Sequence, residues 1–278
     1  MLVEMKKNKD YLYVDSSDNG ESSHQSKFII PKTSRIDYLI SEEKYSQALA
    51  LIEKTLKKDD LEYWTLKADI LVNQKEYEQA IDCYNKSLLI NQSAEINKNK
   101  ADALYKWAKI SYFPELKYEK ALNLVDDALK TIPESEDSSE YYFLKGEILE
   151  ALQEPIEAKK SYLIAYKEFE KLAEFEKQVE YLKTTEDTLV NITGSYFYDF
   201  TPSNDLIVDL IKEPDNEHDP DAIAAYLDGE KIGYIANSDY TLIDFVKSAT
   251  KIKNIVDDNS KAQILFVYLD QYIIAKII

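Results

Sequence analysis

The stretch whose reading decides the fold is Glu213 to Ile235, EPDNEHDPDAIAAYLDGEKIGYI. An acidic loop stiffened by Pro214 and Pro220 leads into an alternating run over 222–227, then Asp228-Gly229, then a second run over 230–236. Asp-Gly supplies the two consecutive positive-φ positions that a type I′ turn requires, and the twist of that turn suits the strands on either side. The stretch is therefore read as a rigid loop feeding a β-hairpin. Taken alone, that pattern fits any small β domain.

Working outward, residues 195–200 and 206–211 read as strands joined by a turn at 201–204. A helix is expected from about 240 to 255, and a last strand or pair over 262–278. Several short strands around one helix point to a small, partly open barrel. The pattern Glu213-Pro214, Asn216, Asp219, Ala222-Ile223 and Gly233-Tyr234-Ile235 resembles the core of a HIRAN domain, and the resemblance covers roughly 192–278. It implies a β-barrel module that occurs alone in microbes and joined to helicase-like remodellers in eukaryotes. In family members that bind single-stranded DNA, an early basic-aromatic run and a later Asn-x-Tyr-Asp segment hold the 3′ end of the strand. Carried over residue by residue, Asn216 and Asp219 match the later segment, with His218 in place of its tyrosine. Phe197 or Tyr198 can serve as the stacking aromatic, and Tyr196 stands where the arginine is expected.

Upstream the period changes from two to that of a helix, and the chain repeats itself. KYSQALALIEKTLKKD (44–59), EYEQAIDCYNKSLLIN (76–91), KYEKALNLVDDALKTIP (117–133) and EPIEAKKSYLIAYKEF (154–169) share one frame. A small residue recurs at Ala48, Ala80, Ala121 and Ala158, where two helices must approach closely. One turn later, on the same face, stand Ile52, Tyr84, Val125 and Tyr162. With Tyr63-Trp64 through Ala68 and Leu71, and Tyr142 through Gly146 and Leu149, the frame resembles tetratricopeptide repeats over about 35–166. Helix pairs of this kind stack into a solenoid whose open end needs a cap. The amphipathic stretch 168–189, with Leu172, Phe175, Val179 and Leu182 on one face, is expected to supply it.

The resulting expectation is a two-domain α+β chain. A flexible arm spans 1–33, an all-α tetratricopeptide solenoid with its capping helix spans 34–190, and the HIRAN-like barrel spans 192–278. Within the arm, the β-like runs at 11–14 and 28–30 can pair across a polar loop.

The balance of 34 basic and 52 acidic residues gives a net charge of −18, and Arg35 is the sole arginine. Such a surface repels phosphate and anionic lipid unless its cations are gathered locally. Over 193–278, seven lysines against fifteen carboxylates leave −8, so nucleic acid is disfavoured there. No apolar run has the length of a membrane helix, the N-terminus lacks a signal pattern, and the single Cys83 suits a reducing compartment. A cytoplasmic location without membrane association is expected.

Catalytic motifs are lacking. Five glycines include no phosphate-binding loop, so the helicase motor that accompanies HIRAN domains in eukaryotes has no counterpart here. His24, His218 and Cys83 are too few and too scattered for zinc. Asp215, Glu217, Asp219 and Asp221 alternate like the start of a calcium loop, yet Pro220 stands where glycine is needed and Tyr226 where the bidentate glutamate belongs. A serine hydrolase would need His218 oriented by a carboxylate, and the adjacent Asp219 points the other way in an extended segment. No catalytic residue, metal or cofactor is expected, and the chain reads as a non-enzymatic adaptor.

In the tetratricopeptide frame, Asp37, Thr65, Asp69, Asn73, Phe143, Glu147 and Glu150 fall on the inner surface of the first helices. The lysine-rich clamp that grips a peptide carboxylate in some relatives is missing, and an acidic groove with aromatics suits a basic or apolar segment of a protein partner. The alternative is a sensor of DNA ends, in which the barrel holds a 3′ terminus through Phe197, Tyr198, Asn216, His218 and Asp219 while the repeats recruit an enzyme.

Overall fold

The computed structural model of the chain describes residues 7–8, 11–13, 29–257 and 259–278. They fall into two compact units, Met1–Gln153 and Glu154–Ile278.

The first unit opens with three short antiparallel strands, β1 (Lys7–Asn8), β2 (Tyr11–Tyr13) and β3 (Ile29–Pro31), in the order β1-β2-β3. The two β-like runs expected to pair do so, with Tyr11 opposite Pro31. The polar loop between them, 14–28, lies outside the described residues. Seven helices follow: α1 (Lys32–Ser41), α2 (Tyr45–Thr55), α3 (Leu61–Asn73), α4 (Tyr77–Ile90), α5 (Ala94–Tyr112), α6 (Tyr118–Thr131) and α7 (Ser139–Ala151). The small positions of the frame, Ala48, Ala80 and Ala121, are fully buried at the helix crossings.

The turns inside the helix pairs repeat as faithfully as the alanines. Glu43, Lys75 and Leu116 each take a left-handed conformation, with φ of 55°, 64° and 55°. In each case the next residue's N–H reaches back to a carbonyl in the last turn of the helix: Lys44 to Leu39 at 2.8 Å, Glu76 to Leu71 at 2.8 Å and Lys117 to Ser111 at 2.7 Å. This closure satisfies carbonyls that a helix end leaves open and reverses the chain in a few residues. It explains why residues other than glycine, Glu43, Lys75 and Leu116, stand where glycine is usual, since the turn is held by its hydrogen bonds.

The second unit begins with α8 (Pro155–Ala165) and α9 (Phe169–Thr184), joined by the same left-handed turn at Lys167, whose successor Glu168 donates to the Leu163 carbonyl at 2.9 Å. Then come β4 (Leu189–Thr193), a 3-10 turn (Ser195–Tyr198), β5 (Ile207–Lys212), β6 (Ile223–Leu227), β7 (Glu230–Ile235), α10 (Ala249–Ile252), β8 (Lys261–Tyr268) and β9 (Tyr272–Ile277). The six long strands form a closed antiparallel barrel in the order β4-β7-β6-β5-β8-β9, with β9 pairing back to β4 through Val190 and Ala275. Val190, Val208, Leu210, Ile223, Ile264 and Ala275 fill its interior. The hairpin of the deciding stretch is present, and both Asp228 (φ 52°) and Gly229 (φ 86°) adopt the positive φ that their turn demands.

Four expectations differ from the structure. The barrel is closed where a partly open one is expected, because β4 forms one strand earlier than the sequence suggests and joins β7 to β9. The run 195–200 is not a strand: left-handed residues at Gly194 (φ 77°) and Asp199 (φ 53°) bracket it and curl it into the 3-10 turn. The helix expected over 240–255 shrinks to the four residues of α10, preceded by an irregular loop in which Phe245 has φ 74°. Finally, α9 belongs to the barrel's unit. Its apolar stripe, Phe175, Val179 and Leu182, packs with Leu189, Val246, Tyr268 and Ile274. A helical period reveals that a stripe must be covered but not by what.

Candidate functional site

Two surfaces gather the side chains singled out above, one on each unit. On the barrel, a cleft of about 650 Å³ is lined by Thr193, Tyr198, Asn216, His218, Asp219, Tyr234, Asn237, Ser238 and Thr241. Four of the five residues carried over from the HIRAN resemblance, Tyr198, Asn216, His218 and Asp219, thus line one cleft. The fifth, Phe197, sits beside it on the same 3-10 turn and is 83% exposed, next to Tyr196 at 91%. The two rings meet edge to face with centroids 6.0 Å apart.

Glycine is what lets this turn sit on the barrel. A Cβ at Gly233 would stand 2.5 Å from the Thr193 carbonyl oxygen and 2.9 Å from the Ile192 side chain, so only a bare backbone lets β7 pass β4 at the point where the turn begins.

The loop that forms the opposite wall is built from its own polar residues. Asn216 Oδ1 accepts the backbone N–H groups of His218 (3.0 Å) and Asp219 (3.2 Å), while its amide donates to Glu213 at 3.1 Å. Asp219 accepts the N–H of Asp221 at 2.9 Å on one oxygen and the Asn237 amide at 2.8 Å on the other. Asp221 in turn takes Thr250 Oγ1 at 2.7 Å and Lys253 at 2.8 Å, and Asn237 Oδ1 takes the Thr250 N–H at 2.9 Å. Two of the alternating carboxylates of the sequence, Asp219 and Asp221, therefore shape the loop by pinning a backbone or a neighbour. Short polar side chains that bond their own backbone are the usual means of fixing such loops.

Beneath the loop, Glu213 is 23% exposed, as is its partner Lys231. Lys231 donates to Glu213 Oε1 at 2.5 Å and to the Tyr234 hydroxyl at 2.7 Å, and Tyr234 donates to Glu213 Oε2 at 2.9 Å. Burial acts to raise the Glu213 carboxyl, but the hydrogen bonds from Lys231, Asn216 and Tyr234 outweigh it and hold the group below its ordinary value of 4.5. For Lys231 burial acts to lower the ammonium, and the bonds to Glu213 and Tyr234 reverse that and keep it charged. Lys231, which bonds the cleft residue Tyr234 from below, is thus paired with Glu213.

On the first unit, the residues expected in the groove have different fates. Thr65 shares a 2.7 Å hydrogen bond with buried Ser87 and so works at the α3–α4 crossing. Asn73 caps the Asp69 carbonyl at 2.8 Å. Phe143 is exposed on α7. Asp69 of α3 accepts the Tyr84 hydroxyl at 2.5 Å, and Asp102 of α5 accepts that of Tyr141 from α7 at 2.5 Å. Burial lifts the Asp69 carboxyl above its ordinary range against the Tyr84 bond; Glu95 adds to the rise, Lys106 opposes it, and Asp37 adds again. Tyr105 is raised by burial and then by Glu140 and Glu147, and Tyr112 by burial and then by Glu147 and Glu150 among its charged neighbours. Glu95 and Asp37 thus lie near enough to act on Asp69, and Glu147 and Glu150 near enough to act on Tyr112. The tyrosine-to-aspartate pairs escaped the sequence reading because their partners are 15 and 39 residues apart. Asn237, Ser238 and Thr241 escaped it because no motif marks an irregular loop.

Among the described residues no group of histidine, cysteine and carboxylate side chains is placed to hold a metal ion. No described helix is long and apolar enough to cross a membrane.

Comparison with known proteins bears on the first unit. The tetratricopeptide-repeat family model matches residues 61–93, the α3–α4 pair. No curated protein matches the chain. Among solved structures, a crystal structure of MamA is 19% identical, with a TM-score of 0.35 over 50% of this chain and 77% of that one. MamA 41-end from Desulfovibrio magneticus RS-1 is 17% identical, with a TM-score of 0.32 over 53% of this chain and 94% of that one. The chain carries a tetratricopeptide repeat, followed by a closed six-stranded barrel.

Proposed function

We propose that this chain is a non-catalytic adaptor that holds a basic or apolar segment of a protein partner against the first helices of its solenoid, with a HIRAN-type barrel as its second module. What supports the reading is that, besides burial, Glu95 and Asp37 raise Asp69 on α3 and Glu147 and Glu150 raise Tyr112 on α5, with the α3–α4 pair matched as a tetratricopeptide repeat. Stacked helix pairs present an extended surface suited to polypeptide segments, and carboxylates beside one another favour a cationic one. A capture experiment from the source organism tests this. The full chain should retain a partner that the Asp37→Lys, Glu147→Lys double variant releases; equal retention by both would remove the solenoid face as the binding surface.

A second reading, recognition of a single-stranded 3′ end by the barrel, is supported by the convergence of Tyr198, Asn216, His218 and Asp219 on one cleft. Against it stand the charge of −8 over 193–278 and the capture of Lys231 by Glu213. Weak or absent binding of a short 3′-ended oligonucleotide at about 0.15 M salt is the result this balance favours, and submicromolar binding would promote the DNA-end sensor.

A further inference from the structure

The barrel cleft has a chemistry that the adaptor reading of the solenoid does not use. Tyr196 and Phe197 stand in solvent on its one side, and Tyr240, 97% exposed, stands in the loop between the cleft residues Ser238 and Thr241. Large apolar rings gathered at the rim of a polar cleft mark a place where something docks. The 3-10 turn that carries two of them is held in position: the Phe197 N–H donates to the Gly194 carbonyl at 3.0 Å, and Gly233 admits the turn to the barrel. The lining contains no lysine or arginine, and it does contain the Asp219 carboxylate, each of whose oxygens accepts a single hydrogen bond and keeps acceptor capacity.

A ligand for such a cleft should be cationic, flat enough to stack on a ring and able to donate hydrogen bonds to a carboxylate. A guanidinium group has all three properties and is more weakly hydrated than an ammonium. A nucleic-acid strand would bring phosphates to a wall that offers them no free cation, on a barrel that is itself negative. We propose that the cleft takes an arginine side chain of a partner polypeptide, its guanidinium stacked against the Phe197–Tyr198 turn and directed to Asp219. The volume of about 650 Å³ accommodates the side chain together with its flanking backbone. This site is separate from the solenoid face, and its test is separate too.

The experiment is fluorescence anisotropy on the full chain with a labelled Gly-Ser-Arg-Gly-Arg-Gly-Ser peptide, the same peptide with citrulline for arginine, and a ten-nucleotide oligothymidylate with a free 3′-hydroxyl. The arginine peptide should bind, and citrulline, which has the same shape without the charge, should weaken binding about tenfold or more. Phe197→Ala and Tyr240→Ala, both at exposed positions that leave the melting temperature unchanged, should each weaken it about three- to tenfold. Glu147→Lys should leave it unchanged. Equal binding of the citrulline peptide, no binding of the arginine peptide, or tighter binding of the oligonucleotide would overturn the proposal. Sensitivity to Glu147→Lys without sensitivity to Phe197→Ala would overturn it as well, and would assign the arginine to the solenoid face. Equal retention of the partner by the parent chain and the solenoid variant, with arginine-peptide binding as expected here, would leave this proposal standing and sink the adaptor surface alone.

Discussion

Gly233 of β7 and Thr193 of β4 approach so closely that a Cβ on the glycine would lie 2.5 Å from the threonine carbonyl oxygen. The obstacle is backbone, which cannot rotate aside, so Gly233→Ala must push the paired strands β4 and β7 apart. A destabilisation of about 1–3 kcal/mol is expected from such overpacking, together with displacement of the aromatic turn that begins at Gly194. Gly229 offers the contrast, since nothing lies within 4 Å of its would-be Cβ; Gly229→Ala should show only the smaller cost of its positive φ. Thermal unfolding of the two variants checks this, and equal losses would show that the close approach is unimportant.

The Glu213–Lys231–Tyr234 triangle makes the barrel sensitive to acid. The folded state holds the Glu213 carboxyl below 4.5, so the ionised form is favoured in the fold relative to the unfolded chain. Its contribution is therefore fully present above that value and is lost as the pH falls through the lower folded value. Glu213→Gln should cost about 1.5–3 kcal/mol at neutral pH, the range for hydrogen bonds to a charged group. The gap between variant and parent should narrow below pH 4.5. A gap that stays constant on acidification would mean that the carboxylate's charge contributes nothing.

The left-handed turns of the helix pairs invite a gain in stability. Lys75 has φ 64°, a conformation that costs an L-residue and not a glycine, and it is exposed at the end of α3. Lys75→Gly should raise stability by about 0.5–1 kcal/mol, in the range of other helix-cap improvements. The same change at Lys67, in the interior of α3, should lower it by a similar amount. Opposite signs at the two positions, read by chemical denaturation, are the expected result; a loss at both would contradict the turn geometry.

The pair Tyr84–Asp69 separates the need for an acceptor from the need for a charge. Asp69→Ala strands a buried tyrosine hydroxyl and should cost about 1–3 kcal/mol. Asp69→Asn keeps an oxygen for the hydroxyl and removes a carboxylate that burial, Glu95 and Asp37 all disfavour, so the fold should hold or gain at neutral pH. If the solenoid face grips a cationic segment, the same Asn variant should nevertheless weaken partner capture. Calorimetry on both variants, paired with the capture assay, reads the two effects apart.

What the sequence made legible was local or periodic. Asp228-Gly229 fixes its hairpin within four residues, and Ala48, Ala80 and Ala121 mark helix crossings through the frame alone. What it hid was long-range. Gly194 can take the positive φ of a chain reversal, but nothing near it announces that Asp199 will do so as well and turn an aromatic run out of the sheet, because aspartate does not demand φ 53°. Asn191, which falls between the two expected domains, lies in β4, where its amide reaches 50 residues ahead to the Thr241 carbonyl at 2.9 Å. The cleft was half visible: Asn216, Asp219 and Tyr234 stood in one pattern, whereas Asn237, Ser238 and Thr241 joined them from an irregular loop.

The same distinction governs where the chain can be cut. A boundary at 190–192, placed where the sequence period changes, falls inside β4, whose residues from Leu189 to Ile192 pair with β9. A fragment starting at Ile192 would lose most of that strand, reopening the barrel between β7 and β9. It would also lose α9, baring Val246, Tyr268 and Ile274, which Phe175, Val179 and Leu182 cover in the intact unit. A fragment of residues 154–278 keeps both and matches the compact unit. It should be monomeric and unfold cooperatively, while 192–278 should aggregate or bind hydrophobic dyes. Size-exclusion chromatography and thermal unfolding of the two fragments decide the matter. A well-folded 192–278 would show that α9 and the first half of β4 are dispensable.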